Sequence, residues 1–429
     1  MGIQGLLLAF VVIDSIGVAI GFDFFGLLWL GVLIAVTSVS LVVLGFREGT
    51  SARVRTGALA LLIAMLLFLP QFLLIAAQPP NATIIDGALL NDAAADRLLS
   101  GHDPYVGDFI NTPMRAFYIT DSPVNFGLSR FVYMPGMPLL DVPLRLLHSN
   151  RVNFSWLYLP GLLALVAAAW SLGVNAAGKQ AALIVVTLNP LFQIDYFYLL
   201  NDIFFLAPAL AAVGMLRRGR PVAAGVLLGL SLGMKQQAIL FFPLLALYAY
   251  LHLERRDLLR MVAAGVLVVG AIVLPFLAWD PKAFLGGTTG YFYGSGVDSY
   301  PIRGIGLQGI LLGLGVIRNR WDSFPSAQIQ LPLLIVALAL AARDLRRSWS
   351  WARFWAWLGV EALIVFAFGR VLSPNYLDLV LIFFLLALAS ALVGEAPGDA
   401  VGGDVDRTAR ERRPVVAATE HDAGHLPAL

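Results

Sequence analysis

One polar stretch, residues 78–131, gathers six aspartates in an otherwise apolar chain: Asp86, Asp92, Asp96, Asp103, Asp108 and Asp121. Arg97, Arg115 and Arg130 stand among them. A carboxylate there has the chemistry to take a proton from a hydroxyl. Elsewhere Lys235, Arg303 and Arg370 are cations of the type that holds a phosphate. Aromatic residues whose faces suit sugar rings crowd the same region, Tyr105, Phe117, Tyr118, Phe126, Phe131 and Tyr133. A second group, Trp279, Tyr291, Phe292, Tyr293 and Tyr300, follows in a later polar loop. Most of these rings are also what an interfacial belt contains. The segment GYFYGSGVDSY at 290–300 exceeds a belt, because small residues interleave its rings, and it reads as a mobile substrate loop. Asn201 and Asp202 sit near a helix end, placed to bond a sugar or to cap the helix.

Other chemistries are set aside by residue type. Zero cysteines exclude disulfides, thiolate metal sites and cysteine nucleophiles. The five histidines form no HExxH motif, so no metal site and no cofactor are expected, and nothing indicates a divalent cation. The net charge of +2 singles out no partner class, and no nucleic acid is expected.

The elements that must position these residues are membrane helices. With 59% hydrophobic and 13% charged residues, against about 25% charged in ordinary domains, the composition is that of an all-α polytopic membrane protein. About twelve apolar runs, from 4–20 to 375–394, approach the ~20 residues that cross a bilayer. The first lacks a basic start and a small-residue cleavage site, and reads as a retained helix. Arg47, Arg53 and Arg55, then Arg217, Arg218 and Arg220, then Arg255, Arg256 and Arg260, then Arg343, Arg346 and Arg347 all fall on one face if both termini are cytoplasmic. The expectation is a multi-pass plasma-membrane protein with outer loops at 78–153 and 279–328. Arg318 and Arg320 then lie outside, against the trend. Residues 131–147, with Pro135, Pro138, Asp141, Pro143 and Arg145, and the short run 304–317 read as interfacial or re-entrant. Three regions follow: an N-terminal hairpin and loop (1–56), a catalytic membrane domain (57–394) and a disordered cytoplasmic tail (395–429).

Within the first loop, residues 88–100 have helical spacing. Asp92, Asp96 and Ser100 share one side, and Leu90, Ala94 and Leu98 another. Gly101 is placed to end this helix, with a turn at His102-Asp103-Pro104. The helix is expected to lie on the membrane surface with its apolar side down, Asp86 just before it, and Arg97 paired with Asp92 or Asp96. Single aspartates in such a loop are ordinarily solvated charges or caps.

The order Asp86, helix, LLSGHDPY (98–105) resembles the first outer loop of GT-C glycosyltransferases, above all the polyprenol-phosphate-mannose-dependent family that includes phosphatidylinositol mannoside mannosyltransferases. YMPGMP (133–138), Asn189-Pro190 with Asn201-Asp202, the run 217–245 with its arginines, glycine-rich helix and Lys235, and LSPNY (372–376) are similar to further segments of that family, in the same order. The likeness covers roughly residues 57–394. Leu90 and Asn91 depart from it where an aromatic is common, and the hairpin 4–45 is an addition. The resemblance implies that Asp86 is the catalytic base of an inverting transfer; with it, Lys235, Arg303 and Arg370 are expected to hold the donor phosphate, and Asp103, Tyr105, Tyr133, Asn201, Asp202, Gln236 and Tyr376 to bind sugar or acceptor. The expected partners are a polyprenyl-phosphate sugar donor, a lipid or glycan acceptor and membrane lipids. Two alternatives stay open: the same fold with a glucose or pentose donor, and a transporter or lipid flippase using the mid-span acids Asp14 and Glu361.

Overall fold

A computed structural model describes residues 3–24, 26–78, 86–116, 128–147, 149, 152–197, 199–293 and 300–394. Asp121, Phe117, Tyr118, Phe126, His148 and the tail 395–429 lie outside the described residues, as does the side chain of Tyr293.

The chain is an all-α polytopic membrane protein. Among the described residues, seven helices are each long and apolar enough to cross a membrane, including Ala52–Ala76, Phe154–Leu172, Arg255–Trp279 and Pro374–Val393. Other expected spans are shorter helices. The apolar run 180–197 is not one helix but breaks at Asn189-Pro190 into Ala176–Thr187 and Pro190–Phe197, because a proline disfavours helical backbone in the residue before it. The break is tied by the Asn189 side chain, which accepts from the Leu191 N–H at 3.2 Å. The run 304–317 contains only the short helix Leu307–Gly313, and 131–147 forms Gly136–Arg145 with Pro143 inside it. The N-terminal hairpin, Ile3–Phe24 and Leu28–Gly45, packs into the main apolar core through Leu7, Val11, Ile34 and Val42.

Without water between helices to drive their association, close backbone approach holds the bundle. Gly225, Gly229 and Gly233 recur every four residues along Pro221–Met234 and face Arg255–Trp279. A Cβ on Gly225 would lie 2.0 Å from the Met261 carbonyl oxygen, and one on Gly229 2.6 Å from that of Gly265. Backbone cannot give way as a side-chain tip can. Gly225→Leu is therefore expected to destabilise the protein by about 1–3 kcal/mol or more. A wild-type melting midpoint for purified Gly225→Leu would show that the two helices can separate at no cost.

The helix of the first loop departs from its expected form. It runs Asp86–Leu99, so Asp86 is its first residue. Gly101, at φ +75°, ends it: the Gly101 N–H bonds the Leu98 carbonyl and the His102 N–H that of Arg97, the paired bonds of a left-handed C-terminal cap. It is not a surface helix with one wet side. Residues Gly87 to Ala95 are buried all round, because Gly136–Arg145, the turn Phe154–Leu157 and the rings of Tyr105, Phe109 and Phe131 enclose it. Asp92 is thus 7% exposed rather than solvated, while Asp96 and Ser100 remain exposed. Arg97 bonds neither: it donates to the carbonyls of Val106 and Asp108, and Arg145 takes both aspartates instead.

Candidate functional site

Four separate stretches converge at the start of the loop helix. Asp86 opens that helix, where free N–H groups and the positive end of the helix dipole favour an anion. Its carboxyl accepts from backbone N–H groups there, its own and that of Gly87, and feels the attraction of Arg303. Burial outweighs these and raises its pKa above the usual carboxylate range. The next residue has to be small. A Cβ on Gly87 would lie 2.8 Å from the Tyr133 hydroxyl, which packs directly over the helix start.

Tyr133 links this corner to a second polar group. Its phenol is hydrogen-bonded to Asn201. Lys235 Nζ donates to Asn201 Oδ1 at 2.9 Å and to Asp202 Oδ1 at 2.6 Å, and Asn375 Nδ2 donates to Asp202 Oδ2 at 2.9 Å. Lys235 and Asp202 are both buried, so the pair is shielded from water. Lys235 reaches it because Pro221–Met234 stops there and its backbone turns extended before Gln236–Phe241. Gln237 Nε2 donates to the Tyr376 hydroxyl at 3.1 Å, and the Tyr376 ring stacks on Phe366 with centroids 4.5 Å apart.

Arg303 is delivered by the two-residue parallel pairing of Arg303–Gly304 with Val371–Leu372. Gly304 has φ +82°, and a Cβ there would lie 1.8 Å from the Leu372 carbonyl oxygen, so only glycine permits the pairing. The Arg303 side chain bonds the Tyr300 phenol. Tyr300 in turn stacks on Phe292 at 5.7 Å and meets Tyr291 edge-on at 5.6 Å. Burial, with Asp86 nearby, raises the pKa of Tyr300, so its phenol stays protonated.

The structure thus brings together Asp86, Tyr133, Asn201, Asp202, Lys235, Arg303 and Tyr376. The other residues singled out from the sequence stand behind them. Arg370 donates to the backbone carbonyls of Tyr300 and Arg320, bracing the Arg303 loop. Gln236 donates to the Thr288 carbonyl at 3.2 Å. Asp103 caps its own turn through the Tyr105 N–H at 2.8 Å. Tyr105 is packed among Phe131, Phe276 and Phe284, and its hydroxyl donates to the Tyr133 carbonyl at 2.7 Å, fixing the segment that carries Tyr133. Tyr300 stands out in the sequence only as one ring of the second aromatic group, and nothing there marks Gln237 or Asn375 by itself. Asn375 lies inside the LSPNY segment and Gln237 beside Lys235, so adjacency was their only signal. A cavity of about 510 Å³ opens along the loop helix beside Asp92, Asp96, Arg97 and Arg145, and Asp86 does not line it.

The electrostatics give a test of the corner. Arg303 lowers the Asp86 pKa, so Arg303→Gln leaves it higher still. If Asp86 acts as a base it does so deprotonated, and the acidic limb of kcat/KM should then move to higher pH in this variant. A roughly hundredfold loss in kcat/KM is expected beside it if Arg303 also meets developing phosphate charge. An unmoved acidic limb would separate Arg303 from Asp86.

Sequence comparison adds a family. The profile of glycosyltransferase family 87 matches residues 131–374. That segment holds Tyr133, Asn201, Asp202, Lys235, Arg303 and Arg370, while Asp86 precedes it and Tyr376 lies just beyond. No curated protein matches the chain. Among solved structures, ArnT from Cupriavidus metallidurans in the apo state is similar at 16% identity and a TM-score of 0.45, over 80% of this chain and 60% of that one.

Proposed function

The chain belongs to glycosyltransferase family 87, and from that membership we propose an inverting transfer of a hexose, mannose first, from a polyprenyl phosphate to a lipid or glycan acceptor. It is a membrane glycosyltransferase of the GT-C type. The single observation that carries the finer reading is the meeting of a carboxylate with raised pKa, Asp86, with Arg303 and the hydroxyl of Tyr133 in one polar corner.

In this reading the acceptor hydroxyl attacks the anomeric carbon while Asp86 takes its proton. The bond from that carbon to the phosphate oxygen breaks, and the polyprenyl phosphate leaves with the electron pair. The phosphate needs no protonation to depart, so one carboxylate suffices and no covalent intermediate forms. The raised pKa of Asp86 suits a base, because proton transfer gains driving force as the base strengthens, provided it is ionised at working pH. Arg303 steadies the departing phosphate, and Tyr133, Asn201 and Tyr376 offer hydroxyl and amide groups to the sugar. Lys235 serves the phosphate through any donor left beyond Asp202 and Asn201. The site faces the extracytoplasmic side, with both termini cytoplasmic, on the arginine distribution.

The test is a donor screen with the purified chain. Polyprenyl-phosphate mannose, glucose and arabinose are compared for release of polyprenyl phosphate with transfer of sugar to extracted membrane lipids. Turnover of mannose alone supports the hexose reading; turnover only of arabinose moves the proposal to a pentose donor. No turnover of any of the three would overturn it.

A further inference from the structure

The loop helix that carries Asp86 is fastened at its middle by an arrangement that needs a proton. Asp141, on Gly136–Arg145, is fully buried, and Asp92 of the loop helix is 7% exposed. Their carboxyl groups face each other within hydrogen-bonding reach. Neither Asp141 oxygen meets an N–H or hydroxyl donor among the described residues. Two carboxylates cannot bond without a hydrogen between them, so one of the pair must be protonated.

The surroundings decide which. Asp92 Oδ1 accepts the Phe154 N–H at 2.8 Å and has Arg145 Nη1 at 3.9 Å, two features that favour its charged form. Asp141 has no such donor and lies deeper. Burial and the neighbouring Asp92 raise its pKa, which puts the proton on Asp141. The remaining charges facing the pair are Asp96 on the loop helix and Arg145 on the Asp141 helix, joined by two bonds of 2.7 Å. The turn Phe154–Leu157 contributes no titratable group. Lys235, at the end of the helix packed against Gly136, is bonded to Asp202. Arg97 and His102 line the far side of the adjoining cavity.

We propose that Asp141 is a positioning residue: protonated, it donates to the Asp92 carboxylate and clasps the loop helix to Gly136–Arg145 and the Phe154 turn, which holds Asp86 against Tyr133 and Arg303. The rotation of a helix is common to all its residues. A clasp at Asp92 therefore sets the direction of Asp86 six residues earlier. Loss of the shared proton places two buried carboxylates against each other, and the helix must move to separate them or admit water.

The inference rests on Asp86 as the base, so the experiment has two readouts. Transfer is measured from pH 6 to 10 for the wild type, Asp141→Asn and Asp141→Leu, using the full chain and the donor found by the screen. Asparagine keeps a donor toward Asp92 but cannot ionise. It should hold neutral-pH turnover within about threefold of wild type and abolish the alkaline fall in rate. Leucine removes the donor and should lower kcat at least tenfold. The second readout, the melting midpoint against pH, does not depend on Asp86. Unfolded Asp141 ionises in the ordinary acidic range, whereas folded Asp141 keeps its proton. Stability is therefore greatest at low pH, falls through the interval between the two pKa values, and is fully reduced above the folded one. Asp141→Asn should flatten that decline. An unchanged alkaline limb and an unchanged decline in Asp141→Asn would overturn the clasp. A flattened decline with Asp86→Asn still active would leave the clasp standing and remove its link to catalysis.

Discussion

Asp86→Asn is expected to lower kcat about 10²–10⁴-fold, the range that a positioned general base contributes. The substitution is conservative in shape: the amide oxygen still accepts the backbone N–H groups at the start of the loop helix, which hold the present carboxylate. Tyr133 and Gly87 need not move. The loss should fall on kcat, with KM for the donor little changed, because the base meets the acceptor hydroxyl rather than the donor phosphate. Transfer of radiolabelled sugar in membranes with matched expression measures it. Near-normal transfer would dismiss Asp86 as the base. A rise in KM at constant kcat would make it a binding group instead.

Lys235→Met carries the second large effect, and it separates two roles for one cation. Nζ lies 2.6 Å from Asp202 Oδ1, both side chains are buried, and Asn375 is the other donor to that carboxylate. Removing the ammonium leaves Asp202 charged and poorly compensated. Breaking a buried pair from one side costs about 3–5 kcal/mol. The melting midpoint should fall accordingly, and replacing both partners, Lys235→Met with Asp202→Leu, should recover much of the loss. A Lys235→Met protein that melts like wild type but binds donor more weakly would instead assign Lys235 to the phosphate. The pair joins two helix ends to the segment after Leu372, so its loss should also loosen Asn375 and the strand pairing that places Arg303.

Much of the architecture was legible in the residues. Hydropathy announced membrane helices, Gly101 announced the end of the loop helix, and the prolines of 131–147 announced a helix well short of span length, Gly136–Arg145. Each of these signals is local: a run of apolar side chains, or a φ that only glycine adopts at ease, acts within a turn or two. The loop helix shows where such reading stops. Its spacing puts Asp92 and Asp96 on one side, and from spacing alone a polar side reads as a wet one. In the fold the same side receives Asp141, Arg145 and the Phe154 N–H, so Asp92 is buried and Asp96 is not. No property of residues 86–99 contains that distinction. Arg97, five residues after Asp92 and next to Asp96, was the expected local partner, yet backbone carbonyls farther along the chain claim it.

The amino-acid sequence by itself determined an all-α membrane chain, an ordered set of family-like segments, and one aspartate at the start of a loop helix as the residue to examine. Tertiary structure alone decided which charges are committed and which are available. Lys235 finds Asp202 across 33 residues and Asn375 finds it across 173, while Arg303 comes within electrostatic reach of Asp86 only because a two-residue parallel pairing brings 303 beside 371. The reason is the range of the forces. Helix formation and membrane partition are summed over neighbours in the chain, whereas a hydrogen bond or buried ion pair requires contact within about 3 Å. Only the folded chain says which distant residues make that contact.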